Sequence, residues 1–73
     1  MNFGDALQAM HKGAACAREG WNGKGMYCKK QLPDGHSKMT RPYLYLKDVQ
    51  GDLGPWLPSQ TDMFAEDWIE LPE

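Results

Sequence analysis

Pro42-Tyr43-Leu44-Tyr45-Leu46-Lys47-Asp48 is the stretch that decides the fold class. Tyrosine and leucine alternate along it, so Tyr43 and Tyr45 fall on one face of an extended segment and Leu44 and Leu46 on the other. It is the clearest strand in the chain, and an apolar strand face needs neighbouring strands and a cover. On its N-terminal side, Gln31 to Arg41 is polar and holds the turn signature Pro33-Asp34-Gly35, so it is expected as an exposed loop. Before that loop, Met26 to Lys30 reads as a strand paired in a hairpin with Ala14 to Glu19 across the glycine-rich turn Gly20-Trp21-Asn22-Gly23-Lys24-Gly25. The small residues of Ala14 to Glu19 leave propensity undecided. A helix there would be bracketed by Gly13 and Gly20, and a strand of small residues beneath a docked helix fits better. That docked helix is the N-terminal segment. Phe3, Leu7 and Met10 follow helical spacing with Ala6 beside them; Asn2 is placed to cap the start and Gly13 to stop the end.

On the C-terminal side, Asp48 to Gly54 turns the chain, and Pro55-Trp56-Leu57-Pro58 is extended by its two prolines. Ser59 can cap one or two helical turns, and Asp67 to Leu71 closes as a strand with Trp68 or Ile69 buried. The expectation is a single α+β domain over 1–73, a short N-terminal helix packed on a small antiparallel β-sheet, assembled as a homo-oligomer. Its core would join Leu44, Leu46 and Ile69 to Phe3, Leu7 and Met10, leaving Met63, Phe64 and Trp68 as apolar surface to be covered by other copies. With 73 residues the margin of a monomeric core is thin.

Charge excludes some functions. Eight basic residues against ten acidic give a net charge of −2, and the basic residues are scattered. A duplex nucleic acid or an anionic membrane needs a basic stripe, whereas a small anion needs only two or three placed donors. No apolar run is long enough for a membrane span and no secretory leader is legible, so a cytoplasmic location is expected. Cys16 and Cys28 stand apart from any metal-ligand spacing and are expected as buried thiols; no metal and no cofactor is expected. GxGxxG and GxxxxGK[ST] are absent, and no nucleophile–base pattern stands out.

The unusual feature is indoles in turns. Trp21 sits among glycines and Trp56 between prolines. A loop indole either folds back on the core or stacks on a ligand ring. Asn22, Ser59, Gln60, Thr61 and Asp62 carry groups that can read sugar hydroxyls and base edges. Gly23 and Gly25 with Lys24 can hold a phosphate. Residue types alone leave two readings open: a nucleotide pocket without a catalyst, or a hairpin turn, core anchors and a helix cap.

The segments Met1 to Leu7, Ala17 to Met26, Pro55 to Met63 and Ala65 to Trp68 together resemble a small phage and prophage family that includes Thoeris anti-defence proteins. The resemblance runs from residue 1 to about residue 71. It implies a homotetrameric sponge, with pockets shared between subunits. Such a sponge binds the cyclic ADP-ribose isomer made by a Thoeris TIR enzyme without cleaving it, so the NAD-depleting effector stays off. It implies further that the Trp21 to Met26 turn and the Trp56 to Asp62 segment line the pocket, with Arg41 and Tyr43 contributing. The stretch from Gln31 to Arg41 is shorter here than in many members, which bears on ligand choice. By the same resemblance, some relatives also take up cyclic oligonucleotides of another bacterial defence system. Two rival classes remain: a cyclic-nucleotide hydrolase or lyase using Asp62 or His11 as acid/base, and a protein–protein inhibitor module acting through its exposed aromatics.

Overall fold

The computed structural model describes residues 1–21 and 24–72. Asn22 and Gly23, both expected in the pocket, lie outside the described residues.

The first helix, α1 (Phe3–His11), starts where Asn2 Oδ1 accepts the Asp5 N–H at 2.9 Å. It stops at Gly13, whose φ of 102° is the left-handed conformation that glycine adopts without strain. There the Gly13 N–H donates to Met10 O and the Ala14 N–H to Ala9 O, a Schellman ending that satisfies the last carbonyls. The strands are β1 (Cys16–Arg18), β2 (Tyr27–Gln31), β3 (Tyr43–Lys47), β4 (Leu53–Pro55) and β5 (Trp68–Glu70), with α2 (Gln60–Phe64) between the last two. Every pairing is antiparallel and the order across the sheet is β4-β3-β2-β1-β5. The α+β expectation holds. The short strand beside Trp56 begins earlier than the prolines suggested, at Leu53, because β4 pairs with β3 through Leu53, Gly54 and Pro55.

Register places the chemistry. Cys16 opposes Cys28, Cys28 opposes Leu46 and Lys30 opposes Leu44, so these side chains share the face on which α1 lies. Ala6 and Met10 of α1 meet Cys16, Cys28 and Trp68 in a fully buried cluster, with Phe3, Trp21, Leu44, Leu46 and Trp56 packed around it. Both cysteines are free thiols as expected, and Cys16 Sγ donates to Ala6 O. Burial of Trp68 contributes about 2–3 kcal/mol.

Three expectations about the core are corrected. Leu7 is 44% exposed, because Ala6 and Met10 are the α1 residues that face the sheet. Ile69 opposes Ala17 and alternates to the face away from α1. Trp68 belongs to the centre of the core at 1% exposure, not to an apolar surface awaiting a partner. The face away from α1 carries Tyr27, Lys29, Tyr43, Tyr45 and Lys47; the rings of Tyr27 and Tyr45 meet edge-on, with Lys47 Nζ over the Tyr27 ring.

Candidate functional site

Three tryptophans from distant positions meet at one end of the sheet. Trp21 packs edge-on against Trp68 at 5.3 Å and against Trp56 at 6.3 Å between centroids. Trp56 and Trp68 are 5.9 Å apart, and Phe3 tilts against both. Edge-to-face geometry is the favoured arrangement for such rings. Trp21 and Trp56 remain half-buried, so each indole has one side in the core and part of its surface outside. Trp21 is therefore a core contact as well as a turn residue.

A single ionic knot holds this end. Arg18, at the end of β1, donates from Nε to Asp67 Oδ1 at 2.8 Å and from Nη1 to Asp62 Oδ1 at 3.0 Å. The Gly20 N–H donates to Asp67 Oδ2 at 2.9 Å, and Trp21 Nε1 lies 3.4 Å from Asp62 Oδ1. Asp62 also completes a capping box: its Oδ2 accepts the Ser59 N–H, while Ser59 Oγ accepts the Asp62 N–H. Trp68 Nε1 donates to the Asp62 carbonyl. One residue thus ties β1, the Trp21 turn, α2 and the core indole together.

The electrostatics follow. Burial alone would raise the Asp62 carboxyl, but hydrogen bonds from Arg18, Ser59 and Trp21 outweigh it and hold it below its ordinary value. Arg18 does the same for Asp67, with help from the Gly20 N–H. The paired carboxylates in turn raise Arg18. Burial pushes Cys16 up, and pushes Cys28 up to about 12.

Of the residues expected in the pocket, the structure brings together Trp21, Trp56, Ser59 and Asp62. Gln60 and Thr61 are exposed on the first turn of α2. Lys24 and Gly25 are exposed in the turn, Gly25 with φ of 78°, and Met26 is half-buried. Both Asp62 oxygens already accept hydrogen bonds, which tie its segment to Arg18 and to the Ser59 N–H. Arg41 is exposed in the loop before β3, and Tyr43 lies on the sheet face away from α1, beside Gln31 and Tyr45.

An open groove of about 650 Å³ between α1 and β3 is lined by Gly4, Leu7, Gln8, His11, Lys30, Pro42, Tyr43 and Leu44. It adjoins the indole cluster, because Phe3 precedes Gly4 and the Trp56 N–H donates to Leu44 O. Sequence reasoning missed Arg18, Asp67 and Lys30. The partners of Arg18 are set by the β1–β5 register, which no local pattern announces. Lys30 stood in the sequence as one of a scattered basic set.

The family model of the Thoeris anti-defense 2-like domain matches residues 1–71. The chain belongs to that family. It is 32% identical over 81 residues to Thoeris anti-defense 2 of Bacillus phage SP01, spanning 93% of this chain and 91% of the phage protein. The aligned stretch of 81 positions is longer than the 73 residues of this chain, so within it the phage protein has residues with no counterpart here.

Proposed function

We propose that the chain counters Thoeris defence by stoichiometric sequestration: it binds the cyclic ADP-ribose isomer made by the TIR enzyme, does not cleave it, and keeps it from the NAD-depleting effector. The family match over residues 1–71 carries the anti-defence reading. The joined indole cluster and groove support a nucleotide as the ligand. Half-buried indoles offer ring surface, Ser59, Gln60 and Thr61 offer polar groups along one edge, and a groove of about 650 Å³ lies in the ordinary range for a small-molecule site. Blocking a messenger at nanomolar levels takes about −12 kcal/mol, which favours a rigid, preorganised site. The Arg18–Asp62–Asp67 knot supplies that rigidity.

Asp62 suits a structural role better than a catalytic one. A general base must be free to take a proton and should have a pKa near the working pH. Asp62 is paired with Arg18 and held below its ordinary value. We place the pocket at Trp21, Asn22, Gly23, Lys24, Gly25, Met26, Trp56, Ser59, Gln60, Thr61 and Asp62, with Arg41 and Tyr43 contributing. The assembly is a homotetramer acting in the host cytoplasm.

The test is release after heating. Messenger is incubated with the protein, the mixture is assayed for effector activation, then heated and assayed again. Activation absent before heating and restored after it is the expected result. Activation that stays absent, with altered messenger on chromatography, would instead identify an enzyme.

A further inference from the structure

Cys16 and Cys28 stand directly opposite each other on neighbouring antiparallel strands. Residues paired in this way have Cα atoms about 4.5–5.5 Å apart and side chains on one face. A disulfide needs Cα atoms about 4.4–6.8 Å apart, so the backbone already meets its requirement. Both thiols are free, both are fully buried, and both lie in the cluster against Ala6 and Met10 of α1. Cys16 Sγ donates to Ala6 O at 3.6 Å, a weak bond that a side-chain rotation can exchange for a bond to sulfur.

The pair also occupies a particular place in the sheet. β2 pairs with β3 along all five of its residues, whereas among the described residues its ladder with β1 is confined to Cys16–Cys28. β1 is held more fully on its other edge, where Cys16, Ala17 and Arg18 pair with β5. The chain that leaves β1 and returns to β2 carries Trp21 and Lys24. The two cysteines are thus the closing point at the base of the Trp21 segment. A covalent bond there closes the same loop in the unfolded chain and lowers its entropy.

We propose that Cys16 and Cys28 form a reversible redox pair, oxidised to a cross-strand disulfide by exchange with a low-molecular-weight disulfide. One cysteine thiolate attacks a sulfur of that disulfide, forming a mixed disulfide and releasing one small thiolate, which takes up a proton. The other cysteine thiolate then attacks the protein sulfur of the mixed disulfide, forming the Cys16–Cys28 bond and releasing the second small thiolate. The protein gives up two protons and two electrons, and the small disulfide becomes two thiols; an excess of small thiol runs the exchange backwards. Burial holds both cysteines in the neutral form, so exchange waits until the cluster opens. The pair is therefore set while the chain folds, and the fold then shields whichever state it is in. This assignment does not depend on the proposed ligand.

The experiment is refolding of the full chain, from the reduced and unfolded state, in buffers of oxidised and reduced glutathione at fixed ratios. Remaining thiols are alkylated, and the products are read by intact mass, amide spectrum and melting temperature. The expected product is a monomeric chain lighter than the dithiol by two hydrogen atoms, with no glutathione attached and a native amide spectrum. Its melting temperature should exceed that of the dithiol by about 10 °C. Digestion after Arg18 and Lys24 should leave the two cysteine fragments joined until a reductant is added. Native protein placed in the oxidising buffer should reach the same product no faster than its thiols are labelled. Cys16→Ala and Cys28→Ala should give no such product and no rise in melting temperature. Three results would overturn the proposal: glutathione adducts or disulfide-linked chains as the main products, an internal disulfide that forms only in denaturant, or an oxidised chain that melts at or below the reduced one.

Discussion

Arg18 joins Asp62 and Asp67 in the ion pairs found among the described residues. Removing the guanidinium leaves Asp62 and Asp67 facing each other without a cation, and unpaired partly buried charges are costly. Arg18→Met is expected to destabilise by about 2 kcal/mol in chemical denaturation. The pH dependence has a definite sign. Both carboxyls are held below their ordinary values in the folded state, so their contribution is present above the unfolded-state value near pH 4. It is lost as pH falls through the lower folded values. Melting temperature should be flat from pH 7 to 5 and drop below pH 4, and the drop should be smaller in Asp67→Asn; equal drops would remove the pair from the account. The cysteines make a second residue-scale prediction. Cys16 and Cys28 are fully buried, with thiols pushed towards the neutral form, so a thiol reagent at pH 8 should label them only at the rate of unfolding. Fast labelling of either thiol in the native protein would contradict the packing.

At the scale of elements, α2 has five residues and depends on its start. Ser59→Ala removes the Oγ that accepts the Asp62 N–H and should cost about 1 kcal/mol in stability. Because the same box orients the carboxylate that receives Arg18, ligand affinity should fall with it. Trp21 needs a graded pair of substitutions. Trp21→Ala strips a half-buried ring from Trp56 and Trp68 and should lower both stability and binding, whereas Trp21→Phe keeps an edge contact and should separate the two. The elements themselves were legible where one local signal sufficed. Asn2, Gly13 and Ser59 mark helix ends by their own chemistry, and the Tyr–Leu alternation of 43–46 marks a strand. What was not legible depends on pairing. Whether Trp68 or Ile69 turns inward follows from the β1–β5 register, and so does the meeting of Arg18 with Asp67 across 49 positions. The groove was missed for the same reason, since α1, β2 and β3 each contribute residues that look ordinary alone.

At the scale of the whole molecule, the apolar surface left outside is large for so small a chain. Leu57 is 90% exposed and Phe64 81%, both beside the short α2, and the sheet face bearing Tyr27, Tyr45 and Ile69 has no helix of the described residues on it. A monomer of this size has little stability to spare, and covering such surface in copies of itself would add to it. Light scattering is expected to show a homo-oligomer, a tetramer, at micromolar concentration, and Phe64→Glu is expected to shift it towards smaller species. An 8.3 kDa particle for the wild type would contradict the assembly. The central claim, binding without turnover, is tested most directly by ultrafiltration of the cyclic ADP-ribose isomer with a molar excess of the protein. The account predicts that messenger is retained in proportion to protein and that heat returns it chemically intact. Messenger that passes freely into the filtrate, or that emerges converted to product, would contradict it.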